Sequence, residues 1–118
     1  MNAMAVMLTA LVAALHGYFL VLEMFLWDHP TGRRIFGTTP EFATASKTLA
    51  ANQGLYNGFL AAGLIWGLAL GTQGIPIRVF FLVCVLIAGI YGGLTVNRRI
   101  LLVQGAPAAL ALGALLLN

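Results

Sequence analysis

Acidic side chains are nearly missing from this chain: Asp and Glu together occur three times in 118 residues, and all charged residues make up 8%. A soluble domain carries charge on about a quarter of its residues. So few charges could not clothe a water-facing surface. With 61% hydrophobic residues and a mean hydropathy of +0.98, the expected solvent is lipid. Cysteine is just as scarce, and the single thiol, Cys84, excludes an internal disulfide. The six Lys and Arg are scattered singly or in pairs, which makes no basic stripe and leaves nucleic acid outside the expected partners. No GxxxxGKS, GxSxG or HExxH occurs, and no NxS/T. The opening MNAMAVML lacks the positive n-region of a signal peptide, and no small-residue cleavage site follows it, so the first segment reads as a retained helix.

What is abundant is apolar length. A span of the hydrocarbon takes roughly 20 apolar residues, and four segments qualify: 3–27, 48–70, 76–96 and 100–117. DHPTGRRIFGTTPEF separates the first two, GTQGIPIR the next two and VNRR the last two. The last pair is joined so tightly that it must form an antiparallel hairpin. The expected fold is therefore all-α: an integral membrane four-helix up-and-down bundle, with residues 1–118 as one domain. Thr39-Pro40-Glu41 reads as an N-cap, a proline at the first helical position and an acid in the first turn. A helix from Pro40 to about Leu70 exceeds the hydrocarbon thickness, which places its first turns, with Phe36 and Phe42 nearby, in the headgroup region.

Orientation follows from the basic residues. Arg33, Arg34, Lys47, Arg98 and Arg99 flank the first and third connections, and Arg78 alone marks the second. Under the positive-inside rule this predicts a multi-pass protein of the inner (plasma) membrane, with residues 28–46 and 97–99 cytoplasmic and both termini outside. Small residues supply the packing. Ala50, Gly54, Gly58 and Ala62 recur every four residues, as do Gly89 and Gly93, and Gly105, Ala109 and Gly113. Such ridges let membrane helices approach closely, and they leave faces such as that of Leu112 for lipid.

The polar residues gather at one depth. In LHGYFLVLEMFLW, His16 and Glu23 are seven residues apart, hence on one helix face about 10 Å apart along the axis. Trp27 continues that stripe to the interface. The second helix opens ANQGLYNGF, with Asn52 and Tyr56 on one face and Gln53 and Asn57 beside it. Tyr91 and Gln104 lie near the cytoplasmic ends of the third and fourth helices. Because neighbouring helices alternate in direction, His16, Glu23, Asn52, Gln53, Tyr56, Asn57, Tyr91 and Gln104 are expected to line a pocket open to the cytoplasm. An intramembrane carboxylate is a functional candidate by default. It is equally the kind of group that serves as a hydrogen bond between helices, with Asn52 or Gln53 as donors or Arg98 or Arg99 as counter-charge. The 10 Å separation is too long for His16 and Glu23 to share one ion, since first-shell bonds are near 2 Å. A second buried histidine for haem is missing. Neither a metal nor another cofactor is expected.

HGYFLVLEMFLW, GRRIFG, PEFA, LAANQGLYNGFLAAGLIWG and NRRILLVQGAPAALAL together resemble the domain of unknown function 1304 family, small bacterial and fungal integral membrane proteins with four predicted helices. The resemblance covers nearly the whole chain. It implies the four-helix membrane fold and transfers no catalytic residue, so function rests on the polar cluster. Two readings compete. One is a binding or transport unit in which Glu23 responds to protons or cations and the ligand is a small amphipathic or cationic solute. The lipid bilayer is its solvent, and a homo-oligomer would supply the permeation path that four short helices lack. Its size and first-helix carboxylate look like the small multidrug-resistance transporters, whose motifs are nonetheless absent. The other is an intramembrane enzyme with His16 and Glu23 as acid and base on a lipid-soluble substrate, similar to sterol-isomerase-like enzymes in ingredients only. A non-catalytic membrane scaffold is the bland third option.

Overall fold

The computed structural model describes residues 2–117, among which the chain forms five α-helices and no strand. Helix α1 (Ala3–Met24) starts where Asn2 Oδ1 accepts hydrogen bonds from the Met4 and Ala5 amides at 3.0 and 3.4 Å, an N-cap satisfying two otherwise orphaned donors. It ends one turn short of Trp27. Helix α3 (Pro40–Ala69) begins as expected, with Thr39 Oγ1 accepting from the Phe42 amide at 3.1 Å. Its 30 residues make it about 45 Å long. Between the two lies a short helix that the polar sequence DHPTGRRIFG did not announce, α2 (Pro30–Phe36). Pro30 presets its first turn. Gly37, at φ 67°, closes it in the left-handed conformation, and the Gly37 amide donates to the Arg33 carbonyl.

A tight corner leads to helix α4 (Ile75–Thr95). Gly71 turns the chain at φ 61°, a single 3₁₀ turn follows at Gly71–Gly74, and a Cβ on Gly74 would run into the Gly67 carbonyl. Only glycine lets the two backbones touch there. The fourth apolar segment is not one regular helix. It opens as a π-helical turn, Leu101–Gly105, and continues as helix α5 (Ala106–Leu116). Pro107 lacks the amide that an α-helix would bond to Val103, and its ring crowds that carbonyl. The widened turn relieves both.

The chain divides into two compact units, Met1–Ala14 with Leu60–Asn118, and Leu15–Phe59, and α1 and α3 contribute to both. In the first, α4 and the last segment form the expected hairpin. Gly93 faces Leu101 and Gly89 faces Gly105, so the elements run antiparallel. Val12, Ala13, Leu64, Leu82, Val85, Ala108, Ala111 and Leu112 make its core. Leu112 is thus buried, contrary to the expected lipid-facing position. The small-residue ridges pack closely at Gly54, Gly58, Gly89, Gly93 and Gly105 but lose the contact face at their far ends. A step of four residues drifts about 40° on a 3.6-residue helix. Ala62 and Ala109 therefore end up exposed and Gly113 faces open space, while Ala61, Leu64, Ala108 and Ala111 take the buried positions.

Two helices, Ala3–Met24 and Gly71–Thr95, are long and apolar enough to cross a membrane, and Leu101–Leu116 is a shorter apolar helix. Helix α3 has the length, but Asn52, Gln53 and Asn57 place three amides within it.

Candidate functional site

The candidate site forms inside the Leu15–Phe59 unit, where α1 packs on α3. Glycine sets their separation. A Cβ on Gly54 would stand 2.7 Å from Met24 Cγ, 3.0 Å from Glu23 Cβ and 3.2 Å from the Leu20 carbonyl oxygen, and one on Gly58 would stand 2.6 Å from Leu20 Cδ1. This close approach brings Glu23 to Asn57, whose side-chain amide donates a hydrogen bond to Glu23 Oε1. Asn57 is buried and Glu23 half-buried. The carboxylate has no ion pair among the described residues, where the salt bridge formed is that of Lys47 with Asp28. Neither Asn52 nor Gln53 is the donor, and Arg98 and Arg99 are exposed. An amide can serve either state of the acid. Its N–H groups donate to a carboxylate, and its oxygen accepts from a carboxylic acid.

His16 is completely buried and lies edge-on to Phe19, with ring centroids 5.3 Å apart and planes at 71°. Asn52, Gln53 and Tyr56 lie on the exposed side of α3, Tyr56 edge-on to the Phe59 ring. Of the sequence-derived set, the structure therefore joins Glu23 and Asn57. Tyr91 and Gln104 belong to the other unit. Tyr91 is exposed on α4, and Gln104 is half-buried in the π turn. Among the described residues no three His, Cys, Asp or Glu side chains gather as a metal set would.

Beyond Glu23 the chain folds into an ordered elbow. Trp27 Nε1 donates to Ser46 Oγ at 3.0 Å, and the Ser46 hydroxyl donates to the Phe42 carbonyl at 2.7 Å. The Trp27 ring packs on Phe36 at 4.9 Å, and Arg33 donates to the Asp28 carbonyl. Lys47 Nζ lies 3.3 Å from Asp28 Oδ2, and its hydrogen bond and charge hold that carboxyl below its ordinary range. Trp27, expected as an interfacial anchor, is thus itself anchored by a residue nineteen positions away.

Sequence reasoning missed Arg78. It reads as a loop charge, yet the structure places it in the first turn of α4 at 0% exposure, with Gly67 making room for its aliphatic stem. The signal was available. Pro76 marks a helix start, and counting on from Arg78 by four, seven and eleven gives Leu82, Val85 and Gly89, all buried. Thr9, also at 0% exposure, was not singled out either.

Comparison with known proteins gives little chemistry. The uncharacterized protein YpaA of Lactococcus lactis subsp. lactis (strain IL1403) is 35% identical over 114 residues, covering 95% of this chain and 96% of that protein. No solved structure matches. The family model described as protein of unknown function (DUF1304) matches residues 10–116, and with nearly the whole chain inside that match, the chain belongs to this family.

Proposed function

We propose that this chain is a multi-pass membrane protein, its four apolar segments crossing the inner membrane up and down, in which Glu23 is the proton- or cation-responsive group of a site for a small amphipathic or cationic solute. One observation carries the reading: Glu23 sits in an apolar helix with a neutral amide, Asn57, as its partner rather than a cation. A carboxylate in such surroundings costs free energy unless it takes up a proton or a positive charge. A group under that constraint responds to both. The glycine-lined approach of α1 and α3 supports it by fixing the amide against the acid.

The membrane part rests on the two long apolar helices and on the short apolar helix that closes the chain. Arg78 also changes the charge count. Because it is inside α4, the connections keep only the basic residues that flank the first and third, which strengthens the expected cytoplasmic side for residues 28–46 and 97–99.

The test uses purified protein in lipid nanodiscs and tetraphenylphosphonium, a lipophilic cation, as probe. Wild type is expected to bind it more tightly as pH rises, and a hydrophobic carbodiimide is expected to label Glu23 unless the cation is present. Glu23→Gln should keep the fold and lose the pH-dependent binding. Equal binding by wild type and Glu23→Gln across pH overturns the proposal and leaves Glu23 as a hydrogen bond between helices.

A further inference from the structure

Inside the Leu15–Phe59 unit, helix α3 packs on α1 along Gly54, Asn57 and Gly58. The opposite side of the same stretch is bare and regularly spaced. Ala45, Leu49, Asn52, Tyr56 and Phe59 follow one another in steps of four, three, four and three, and all five are exposed. Alternation of four and three is the repeat that keeps one seam turned toward a partner helix in a left-handed pair. The direction of the seam follows from helix geometry. Asn52 and Tyr56 each stand two residues from Gly54, about 200° around the helix, so the stripe points away from α1. Its aromatic members already pack on each other, the Tyr56 and Phe59 rings edge-on with centroids 5.7 Å apart.

One member of the stripe does not suit lipid. The Asn52 side chain has no hydrogen-bond partner among the described residues, and neither has Gln53 beside it. In the membrane reading above, on which this inference rests, Asn52 lies in the spanning part of α3, five residues beyond Lys47. Hydrocarbon offers an amide neither donor nor acceptor, so such a side chain is drawn to another helix. An amide carries both donors and an acceptor, and therefore bonds reciprocally with a copy of itself. A second copy of this chain also meets the geometric requirement. The basic residues give every copy the same orientation. A two-fold axis along the membrane normal then sets two α3 helices parallel, with Asn52 at one depth on both.

We propose that the outward face of α3 is the seam of a parallel homodimer, in which Asn52 bonds to Asn52 of a second copy and Leu49, Tyr56 and Phe59 pack around that pair. Glu23 lies on the other side of α3, so the two Glu23–Asn57 pairs of a dimer stay outside the seam and line no shared path.

The test is thiol cross-linking of the full chain in membrane vesicles by copper phenanthroline, with Cys84→Ser removing the native thiol. Ala45→Cys, on the stripe two turns from Asn52, should give a disulfide-linked dimer. Phe25→Cys, exposed just beyond α1, should not. A pair running antiparallel about Asn52 would hold the two copies of position 45 about 21 Å apart, so the cross-link also reports direction. As the vesicles are diluted with lipid, adding Asn52→Leu to the Ala45→Cys chain should require about tenfold more protein per lipid for the same cross-linking, the scale of a hydrogen bond between membrane helices. Asn52 is exposed in the single chain, so Asn52→Leu should leave thermal unfolding in detergent unchanged. Glu23→Gln should cross-link as its parent does, which keeps this test separate from that of the solute site. Equal cross-linking by Ala45→Cys and Phe25→Cys, or with and without Asn52→Leu, overturns the pairing. If the protein then still resists carbonate extraction, the membrane reading stands and water from the headgroup layer satisfies Asn52, whereas release by carbonate overturns both.

Discussion

Gly89 and Gly105 face each other across the α4 hairpin unequally. A Cβ on Gly89 would lie 2.6 Å from the Gly105 Cα and 2.5 Å from its amide nitrogen, whereas one on Gly105 would find its closest neighbour at 3.8 Å. The first clash is with backbone, which cannot swing aside. Gly89→Ala should therefore destabilise the protein by about 1–3 kcal/mol, while Gly105→Ala should be neutral or slightly stabilising. Thermal unfolding of the two variants in one detergent decides it, and equal effects would refute the hairpin register.

The α1–α3 contact gives a graded version of the same argument. At Gly54 an added methyl meets Met24, Glu23 and the Leu20 carbonyl, but at Gly58 it meets only the end of the Leu20 side chain. A flexible side-chain tip yields more cheaply than a carbonyl. Gly54→Ala should lower the unfolding midpoint more than Gly58→Ala, and Gly58→Leu should cost more than either alanine, by a few kcal/mol.

Glu23 and Asn57 should respond asymmetrically. Glu23→Gln preserves shape and hydrogen bonding and should cost less than about 1 kcal/mol. Asn57→Leu leaves the Glu23 carboxyl without its donor and should cost about 1–3 kcal/mol. Restoring Glu23→Leu in the Asn57→Leu background should recover part of the loss, which a double-mutant cycle measures.

The Asp28–Lys47 pair predicts a pH dependence with a definite sign. Lys47 lowers the folded-state pKa of Asp28, so the pair's contribution is fully present above the unfolded value near 3.9 and is lost as pH falls through the lower, folded value. Wild type should exceed Asp28→Asn in thermal midpoint at pH 6, and the two should converge toward pH 3. A difference that persists unchanged at low pH would assign the effect to something other than this carboxyl.

The helices themselves were largely legible in the sequence. Length of apolar run located α1 and α4, and Thr39-Pro40-Glu41 fixed the start of α3 to the residue. Three things were not. Helix α2 was hidden because seven residues give no period, only a Pro and a Gly at its ends. The face assignments of Leu112, Ala62 and Ala109 went astray because an i, i+4 rule ignores rotational drift over several turns. Arg78 was assigned to solvent by its charge, although its register with Leu82 and Val85 pointed inward. In the site, the place of Glu23 inside an apolar run showed that it needs a partner, with Asn52 or Gln53 expected as donors or Arg98 or Arg99 as counter-charge. The donor is Asn57 instead, because α3 meets α1 along Gly54 and Gly58, on a side that Asn57 shares and the exposed Asn52, Gln53 and Tyr56 do not.

The widened turn ahead of Pro107 leaves the closing apolar stretch, Leu101–Leu116, about 24 Å long at 1.5 Å per residue. Helix α3 has nearly twice that reach. In the proposed topology, where both cross the membrane, a hydrocarbon layer about 30 Å thick cannot match both, so tilt relieves the long helix while the short one draws the leaflets inward. Around α5 the lipid should be pinched, and the protein should concentrate in the thinner of two coexisting bilayers. Reconstitution into vesicles of graded acyl-chain length would reveal this as a stability optimum below the usual thickness.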